Sequence, residues 1–377
     1  MSSRWPDPIT GAALAGLFDR NRPFAVGLEE EIMVLDPATL DLLPAATELL
    51  ESSGLDERFK TELPASQIEI ATHAAPTFEA LAAELLQARR SLAERVDRRA
   101  RLAVAGVHPF SEPTGVLTAG DRYRPTLTEY GPLAKRQLVC GLHVHLGLTG
   151  AHRVLGVYNE MRNHLPDIAA LAANAPIYGG RDTAMASVRP LISGLLPRQG
   201  VPPPLPSWQW YAEELGWGRT SGWLSKPGDW WWEMRPNVVT GTLEIRIPDA
   251  QTTVAGATGV GAFVVGLALW IATRLDEEEP AEPVPSWRIN ENRWSAARHG
   301  VDGYMVDLRT GRRERTRDRL LALIDAVSPA AAGVVGDALN QAARLVEHNP
   351  AAQQREVMGR VGAKGLTEWL AGRFLEE

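Results

Sequence analysis

Two periods of hydrophobicity run through this chain. Four stretches alternate apolar and polar residues with period two, the mark of a strand with one apolar face. The first, 26–35, reads Val-Gly-Leu-Glu-Glu-Glu-Ile-Met-Val-Leu and sends Glu29 and Glu31 to one face and Glu30 to the other. The second closes the stretch 61–72, where Gln67, Glu69 and Ala71 share a face and Ile68 and Ile70 take the opposite one. In the third, 138–148, His143 and His145 stand together with Leu142, Val144 and Leu146 behind them. The fourth, 241–249, puts Glu244 and Arg246 on one face and Leu243, Ile245 and Ile247 on the other. A further, fully apolar strand is expected at 102–107.

Elsewhere the period is helical. In 77–101, Phe78, Leu81, Leu85, Ala88 and Leu92 form the apolar stripe, while Glu84, Arg89, Arg90, Glu94 and Arg95 fill the other side. Helices are also expected at 11–22, 151–172, 251–276, 286–298, 316–347 and 363–374. After a turn at Pro37 and Asp41, 42–53 reads as a return strand or a short helix. The stretches 111–135 and 174–189 read as irregular, and 197–207, with five prolines, as a covering loop. An acidic linker follows at 276–285, where Asp276, Glu277, Glu278 and Glu279 are solvated. The apolar segment 254–271 is long enough for a membrane span, but Gly256, Gly259, Gly261 and Gly266 fit a buried helix lying close on a sheet.

Composition narrows the partners. The 377 residues suffice for one large domain or two smaller ones, and 45% hydrophobic with 23% charged residues is an ordinary globular balance. A net charge of -7 argues against a general nucleic-acid binder, since no basic surplus exists to neutralise phosphate. A single cysteine, Cys140, excludes an internal disulfide and suits a reducing cytosol. Its apolar strand position favours an inert buried thiol. The first residues lack the apolar core of a signal peptide, so a cytoplasmic location is expected.

The polar strand faces carry the chemistry. Two carboxylates a pleat apart repel, and burying them unpaired costs several kcal/mol or forces protonation. Alone, Glu29–Glu31 reads first as an exposed edge strand bearing solvated acids. Four such faces converging would line a cavity with carboxylates and histidine around a metal ion, with Glu62 joining from the preceding segment. The carboxylate excess favours Mg²⁺ or Mn²⁺, although His-x-His pairs also occur at zinc and either histidine could be a core hydrogen-bonding group. Arg246 reads as a counter-ion or as the fork that holds a phosphate. No Walker lysine motif or glycine-rich Rossmann turn is present. Seven tryptophans between 208 and 232 either pack beneath the long loop or serve a bulky substrate. The arginines at 309, 312, 313, 315, 317 and 319 read as a solvated face.

Gly27-Leu-Glu-Glu-Glu31, Gln67-Ile-Glu-Ile-Ala-Thr72 and Cys140-Gly-Leu-His-Val-His-Leu-Gly147 resemble the glutamate–cysteine ligase type 2 family of carboxylate–amine ligases. So do Asn174-Ala-Pro with Gly180-Arg-Asp-Thr183, Ser187-Val-Arg189, Trp231-Trp-Glu-Met-Arg-Pro236, Gly241-Thr-Leu-Glu-Ile-Arg246 and Asn292-Arg-Trp294, in order over nearly the whole chain. The resemblance implies an α+β fold of the glutamine synthetase type: a curved, mainly antiparallel sheet forming a funnel-shaped site, backed by helices. It implies one catalytic domain over 1–377, helical from about 286. The activity implied is ATP-dependent amide formation of the gamma-glutamyl type: a substrate carboxylate takes the γ-phosphate, and an amine displaces it from the acyl phosphate. Metal ligands would be Glu29, Glu31, Glu69, His143 and Glu244. His143, His145, Arg246 and Arg235 would bind the cofactor, and Arg246, Glu62 and Arg189 would be catalytic. Arg189 and Arg235 could also meet a substrate carboxylate. ATP and Mg²⁺ (or Mn²⁺) are the implied cofactors, and a small-molecule carboxylate and amine the partners, with no nucleic acid and no membrane. The sequence leaves the oligomeric state open, a homo-oligomer included.

One departure bears on the substrate. Thr183 is followed by Ala184-Met185-Ala186, where the family pattern carries an aromatic residue and a glycine–tyrosine. If this loop lines the pocket, an acid other than glutamate or an amine other than cysteine is expected. A phosphoryl transferase on the same scaffold and a catalytically silent nucleotide binder are the competing readings. Glutamine at position 29 or 244 is expected to remove activity and spare the fold.

Overall fold

The computed structural model describes residues 5–20, 24–54, 56–277 and 282–377. Glu278 and Glu279 of the expected acidic linker, and the end of the expected 11–22 helix, lie outside them. Seven strands make the main sheet: β1 (Val26–Leu35), β2 (Phe59–Thr61), β3 (Gln67–Ala71), β4 (Arg101–Ala103), β5 (Leu142–Leu146), β8 (Met234–Asn237) and β9 (Thr242–Ile245). Two small hairpins lie apart from it, β6 (Ile177–Tyr178) with β7 (Arg181–Asp182), and β10 (Tyr304–Val306) with β11 (Arg313–Arg315). The main sheet runs β2-β3-β1-β5-β9-β8, with β4 beside the end of β1, and all its pairings are antiparallel.

Register turns the alternation into a row of charges. Lys60 lies opposite Glu69, Glu69 opposite Glu31, and Glu29 opposite His143. His145 lies opposite Glu244, and Glu244 opposite Arg235. Cross-strand neighbours on one face stand about 5 Å apart, so these side chains must interact. The other face is apolar: Leu28, Ile32, Ile68, Ile70, Leu142, Val144, Leu243 and Ile245 are buried. A one-residue slip would put every acid into that core, which is why the register is strongly specified.

The helix Val254–Leu275 covers this back face. It is the one described helix long and apolar enough to cross a membrane, yet most of it is buried within the fold. Its glycines allow the close approach: a Cβ on Gly261 would stand 3.0 Å from Phe78 and 3.3 Å from Leu28, and one on Gly266 2.8 Å from Val327. The helix Phe78–Val96 packs beside it, capped by Thr77, with Phe78, Leu81, Leu85 and Leu92 turned inward.

Several boundaries differ from the periodic reading. The helix expected at 151–172 breaks into Ala151–Met161 and Leu165–Ala172 ahead of Pro166. That at 316–347 breaks at Gly336, where φ is +49°. The last helical stretch, Pro350–Gly372, begins at its proline and kinks at Gly362, where φ is +70°, so the helix expected at 363–374 is its second half and a further helix precedes it. The strand at 102–107 is regular only over Arg101–Ala103, with a lone bridge from Val107 to Val139; 42–53 resolves into the helix Ala46–Ser53, and 111–135 contains the short helix Arg124–Tyr130.

Two charged assignments are corrected. Arg89, expected on the polar side of its helix, is fully buried. It meets Glu30 with Nε at 2.8 Å and Nη2 at 2.5 Å, and it donates to the carbonyls of Gln251, Thr252 and Phe374. The arginine run at 309–319 is not uniformly solvated. Arg319 reaches inward to Asp167 at 2.6 and 3.0 Å; burial opposes the Asp167 charge, but the Arg319 guanidinium and the His164 hydrogen bond hold its carboxyl below the usual range.

Candidate active site

The polar face opens into a cavity of about 530 Å³, lined by Glu29, Glu31, Glu62, Glu69, His143, Arg189, Arg235, Glu244 and Arg246. All the residues expected at the site thus line one cavity except His145, which stands beside it with Nε2 3.3 Å from Glu29 and Nδ1 3.0 Å from Thr242 Oγ1. The gathering follows from four strands in register, not from proximity in the chain.

Two sets of donor atoms converge. Glu29, Glu69 and His143 each offer one atom within 4.8 Å of the others, as do Glu29, His145 and Glu244. Glu29 is common to both. No set among the described residues contains both histidines, so the His-x-His pair does not form a zinc-like chelate here. Glu31 and Glu62 stand outside both sets. Glu31 accepts the Gly141 N–H at 2.5 Å, and Glu62 takes Arg122 at 3.3 Å.

Electrostatics separates these acids. Burial pushes Glu62 up to about 8, with Glu69 and Glu31 adding repulsion. Burial and the nearby Glu29 push Glu69 up to about 7. Burial also raises Glu31, against the pull of Arg189. For Glu29, burial opposes ionisation, but His143 and His145 outweigh it and hold the carboxyl well below its ordinary value. Burial and Arg246 lower His143 to about 4, leaving a neutral imidazole able to ligate. Lys60, 3.3 Å from Glu69 and 4.0 Å from Glu29, offsets this acid cluster only in part. An oxygen-rich donor set with one imidazole fits Mg²⁺ or Mn²⁺ at Glu29, Glu69 and His143.

The arginines serve the opposite end. Arg235 holds Glu244 bidentately at 2.9 and 3.1 Å and spends Nη1 on the Gly228 and Trp230 carbonyls. Its fork is therefore occupied, unlike the open substrate partner expected from the sequence. Arg246 also pairs with Glu244, and Asn237 donates to it at 3.0 Å. Burial opposes the Glu244 charge, but Arg235 and Arg246 hold its pKa far below the usual range. Glutamine at 244 would strand two guanidinium groups, so the expectation that it spares the fold is withdrawn.

Glycine explains Arg189. A Cβ on Gly141 would stand 2.2 Å from Arg189 Nη2, so only glycine lets the guanidinium lie beneath β5. Arg189 donates there to the Ile247 and Arg246 carbonyls at 3.0 and 3.2 Å. Cys140 is buried, accepts from Gln67 Nε2 at 2.9 Å, and has its thiol pushed well above the ordinary value by burial, so it is inert.

The tryptophans divide. Trp230 and Trp232 stack at 4.5 Å, and Trp208 stacks on Phe18 at 4.7 Å. Only Trp231 of the seven lines the cavity, with the Arg198 guanidinium 5.1 Å over its ring. The 183–186 loop is not on the cavity wall. Met185 and Ala186 are buried, and Arg355 ties the loop down through Asp182 and the Met185 carbonyl. The Ala184-Met185-Ala186 departure therefore does not shape the cavity. Lining residues that periodicity missed include Lys60, Tyr123, Glu233 and Arg293. β2 is too short to show a period, and Arg293 comes from a distant helix, so only the contacts among the family-like motifs could have flagged the last two.

The curved antiparallel sheet, its funnel and its acids define a ligase scaffold. The model of glutamate–cysteine ligase family 2 matches residues 25–368, and the chain belongs to that family, a class of ATP-dependent carbon–nitrogen ligases. A Rubrobacter xylanophilus protein named "Putative glutamate–cysteine ligase 2-3" is 35% identical over 364 residues, 94% of this chain and 98% of that one. A like-named family 2 protein of Pseudomonas paraeruginosa is 34% identical over 368 residues, 93% of each chain. Among solved structures, glutamate–cysteine ligase of Francisella tularensis in complex with AMP shares the fold with a TM-score of 0.69 at 11% identity, over 95% of this chain and 90% of that one. A bifunctional glutathione synthetase of Pasteurella multocida gives 0.64 at 15%, over 96% of this chain and 53% of that one.

Proposed function

We propose that this chain joins a carboxylate to an amine at the expense of ATP, forming an amide bond of the gamma-glutamyl type through an acyl phosphate. The observation that supports it best is the convergence of Glu29, Glu69 and His143, each offering a donor atom within 4.8 Å of the others, on the wall of one large cavity. Mg²⁺ held there would neutralise phosphate charge when bound. The whole chain acts as one catalytic unit, in the cytosol, on small molecules.

In this reading a carboxylate oxygen of the acid attacks the γ-phosphorus, and ADP leaves with the broken P–O bond. The amine nitrogen then attacks the acyl carbon, phosphate departs, and one proton is lost from nitrogen. Arg246, at the cavity wall, exchanges its contact with Glu244 for the transferring phosphoryl oxygens. Glu62, outside both donor sets, takes the proton that the amine loses. Arg189 fixes the turn of backbone behind Glu31 and Arg246.

The test is ADP release by the full chain with Mg²⁺ and ATP across panels of acids and amines. Release requiring one acid and one amine together, with an amide of the expected mass, is the predicted result. Release that needs an acid but no amine, giving a phosphorylated product, would replace ligation by phosphoryl transfer.

A further inference from the structure

Lys60 is the one lysine or arginine among the described residues that contacts Glu69. It stands on β2, the outermost strand of the main sheet, directly opposite Glu69 in register. Its Nζ lies 3.3 Å from Glu69 Oε1 and 4.0 Å from Glu29 Oε1. Those two acids form a donor set with His143, so the ammonium rests on the same carboxylate pair that suits a divalent ion. It has no other partner among the described residues. The guanidinium groups of the cavity are committed elsewhere: Arg122 to Glu62 and the Thr61 carbonyl, Arg189 to the Ile247 and Arg246 carbonyls, and Arg235 and Arg246 to Glu244.

The choice of lysine matters. As the permanent counter-ion of Glu30 the fold uses Arg89, whose planar fork takes both carboxylate oxygens and is fixed by three carbonyls. Lys60 instead makes single-point contacts through a flexible four-carbon stem, and its side chain is 33% exposed. It can turn into the cavity once another cation takes the acids. Charge decides which cation that is. Glu29 and Glu69 carry at most two negative charges, and His143 is neutral. One ammonium balances half of that charge, whereas a divalent ion balances all of it. Both together overshoot, and like charges this close repel strongly away from bulk water. A monovalent ion brings no more charge than the ammonium it replaces. It also gives up free motion, which the tethered lysine does not have to lose.

We propose that Lys60 is a built-in monovalent occupant of the Glu29–Glu69–His143 donor set, displaced by a divalent ion but not by a monovalent one, and that this lysine thereby sets the charge selectivity of the site. The proposal rests on the ion-binding reading of that donor set. On loading, the ammonium leaves Glu69 for the cavity, and only ionic contacts are exchanged. Lys60 is a specificity-determining residue in this account and takes no part in bond making.

The test uses the full chain with metal ions alone, without nucleotide. The chain has four lysines, Lys60, Lys135, Lys226 and Lys364. Isotope-labelled reductive methylation keeps their charge and gives each an NMR signal, and the signal missing from Lys60→Arg is that of Lys60. Mg²⁺ should shift the Lys60 signal to saturation and leave those of Lys135 and Lys364, which do not line the cavity, in place. KCl at equal ionic strength should shift none of these. Affinity is read with Mn²⁺, from the loss of its free-ion EPR signal. Lys60→Gln should bind Mn²⁺ about tenfold tighter than the unaltered protein in tetramethylammonium chloride. In KCl of the same ionic strength it should lose that gain, because K⁺ then enters the set. The unaltered protein should bind Mn²⁺ equally in both salts. A Lys60 signal that ignores Mg²⁺, or a Lys60→Gln affinity that is the same in both salts, overturns the proposal. If Glu29→Gln still abolishes Mn²⁺ binding, the ion site itself stands. Mn²⁺ binding untouched by Glu29→Gln overturns the ion site and the proposal together.

Discussion

Glu29 and Glu30 are adjacent in one strand, and their carboxylates meet opposite conditions. Glu30 faces the back of the sheet, where Arg89 takes both its oxygens and is itself saturated by three carbonyls. The front carries Glu29, Glu31, Glu62 and Glu69, with histidines, Lys60 and a few shared arginines between them. The back acid is neutralised by the chain itself, dry and built to last. The front acids are under-neutralised, two of them raised to about 8 and about 7. The same problem is solved fully on one face and incompletely on the other, and the incomplete face is where the proposed cation would bind.

The contrast breaks most visibly at Arg89. Arg89→Met should lose about 3–5 kcal/mol, because it strands a buried carboxylate. Denaturant unfolding measures this, and a loss below about 1 kcal/mol would show that Glu30 simply takes up a proton. On the front face the direction reverses. Glu29→Gln should melt within a few degrees of the unaltered protein yet lose ADP release by at least about a hundredfold, more than outer-shell changes around a metal usually cost. Glu244→Gln, by comparison, should also melt lower, since Arg235 and Arg246 lose their partner. Equal melting of the two variants would contradict this division.

A smaller effect is expected at Arg246→Lys, about tenfold or more in turnover with little change in melting, because one ammonium cannot reproduce the guanidinium fork. Near-normal turnover would make Arg246 a counter-ion alone. The mildest test is the pH dependence of metal binding. Glu62 and Glu69 have raised values in the folded protein, so their contribution to stability is full below pH 4.5 and is lost as pH rises through about 7 and about 8. Mg²⁺ should relieve that loss, raising the melting temperature by more at pH 8.5 than at pH 6 and releasing protons on binding. A pH-independent gain would place the ion elsewhere.

The alternation of apolar and polar residues was enough to assign the faces of β1, β3, β5 and β9, and to turn Glu30 away from Glu29. It also separated the glycine-rich 254–275 helix from a lone span through its glycines. These are local facts: a pleat and a helix turn dictate where a side chain points whatever the partner. The partner was not legible. Arg89 lay on the polar side of its helix by period, and only the arrival of Glu30 and three carbonyls made a buried place for it. The loop after Thr183 looked like pocket lining because it sits among family-like motifs, but Arg355, from a helix 170 residues on, ties it down elsewhere.

The opening acids show the same boundary. The sequence by itself determined that Glu29 and Glu31 share a face opposed to Glu30, since two-residue periodicity leaves no choice. Only the tertiary structure decided which of them converge. Register set Glu29 beside His143, Glu69 beside Glu31 and His145 beside Glu244, placing Glu29 in both donor sets and leaving Glu31 to the Gly141 amide. Cross-strand distance depends on pairing, and pairing is fixed by the burial of the opposite, apolar face over the whole sheet.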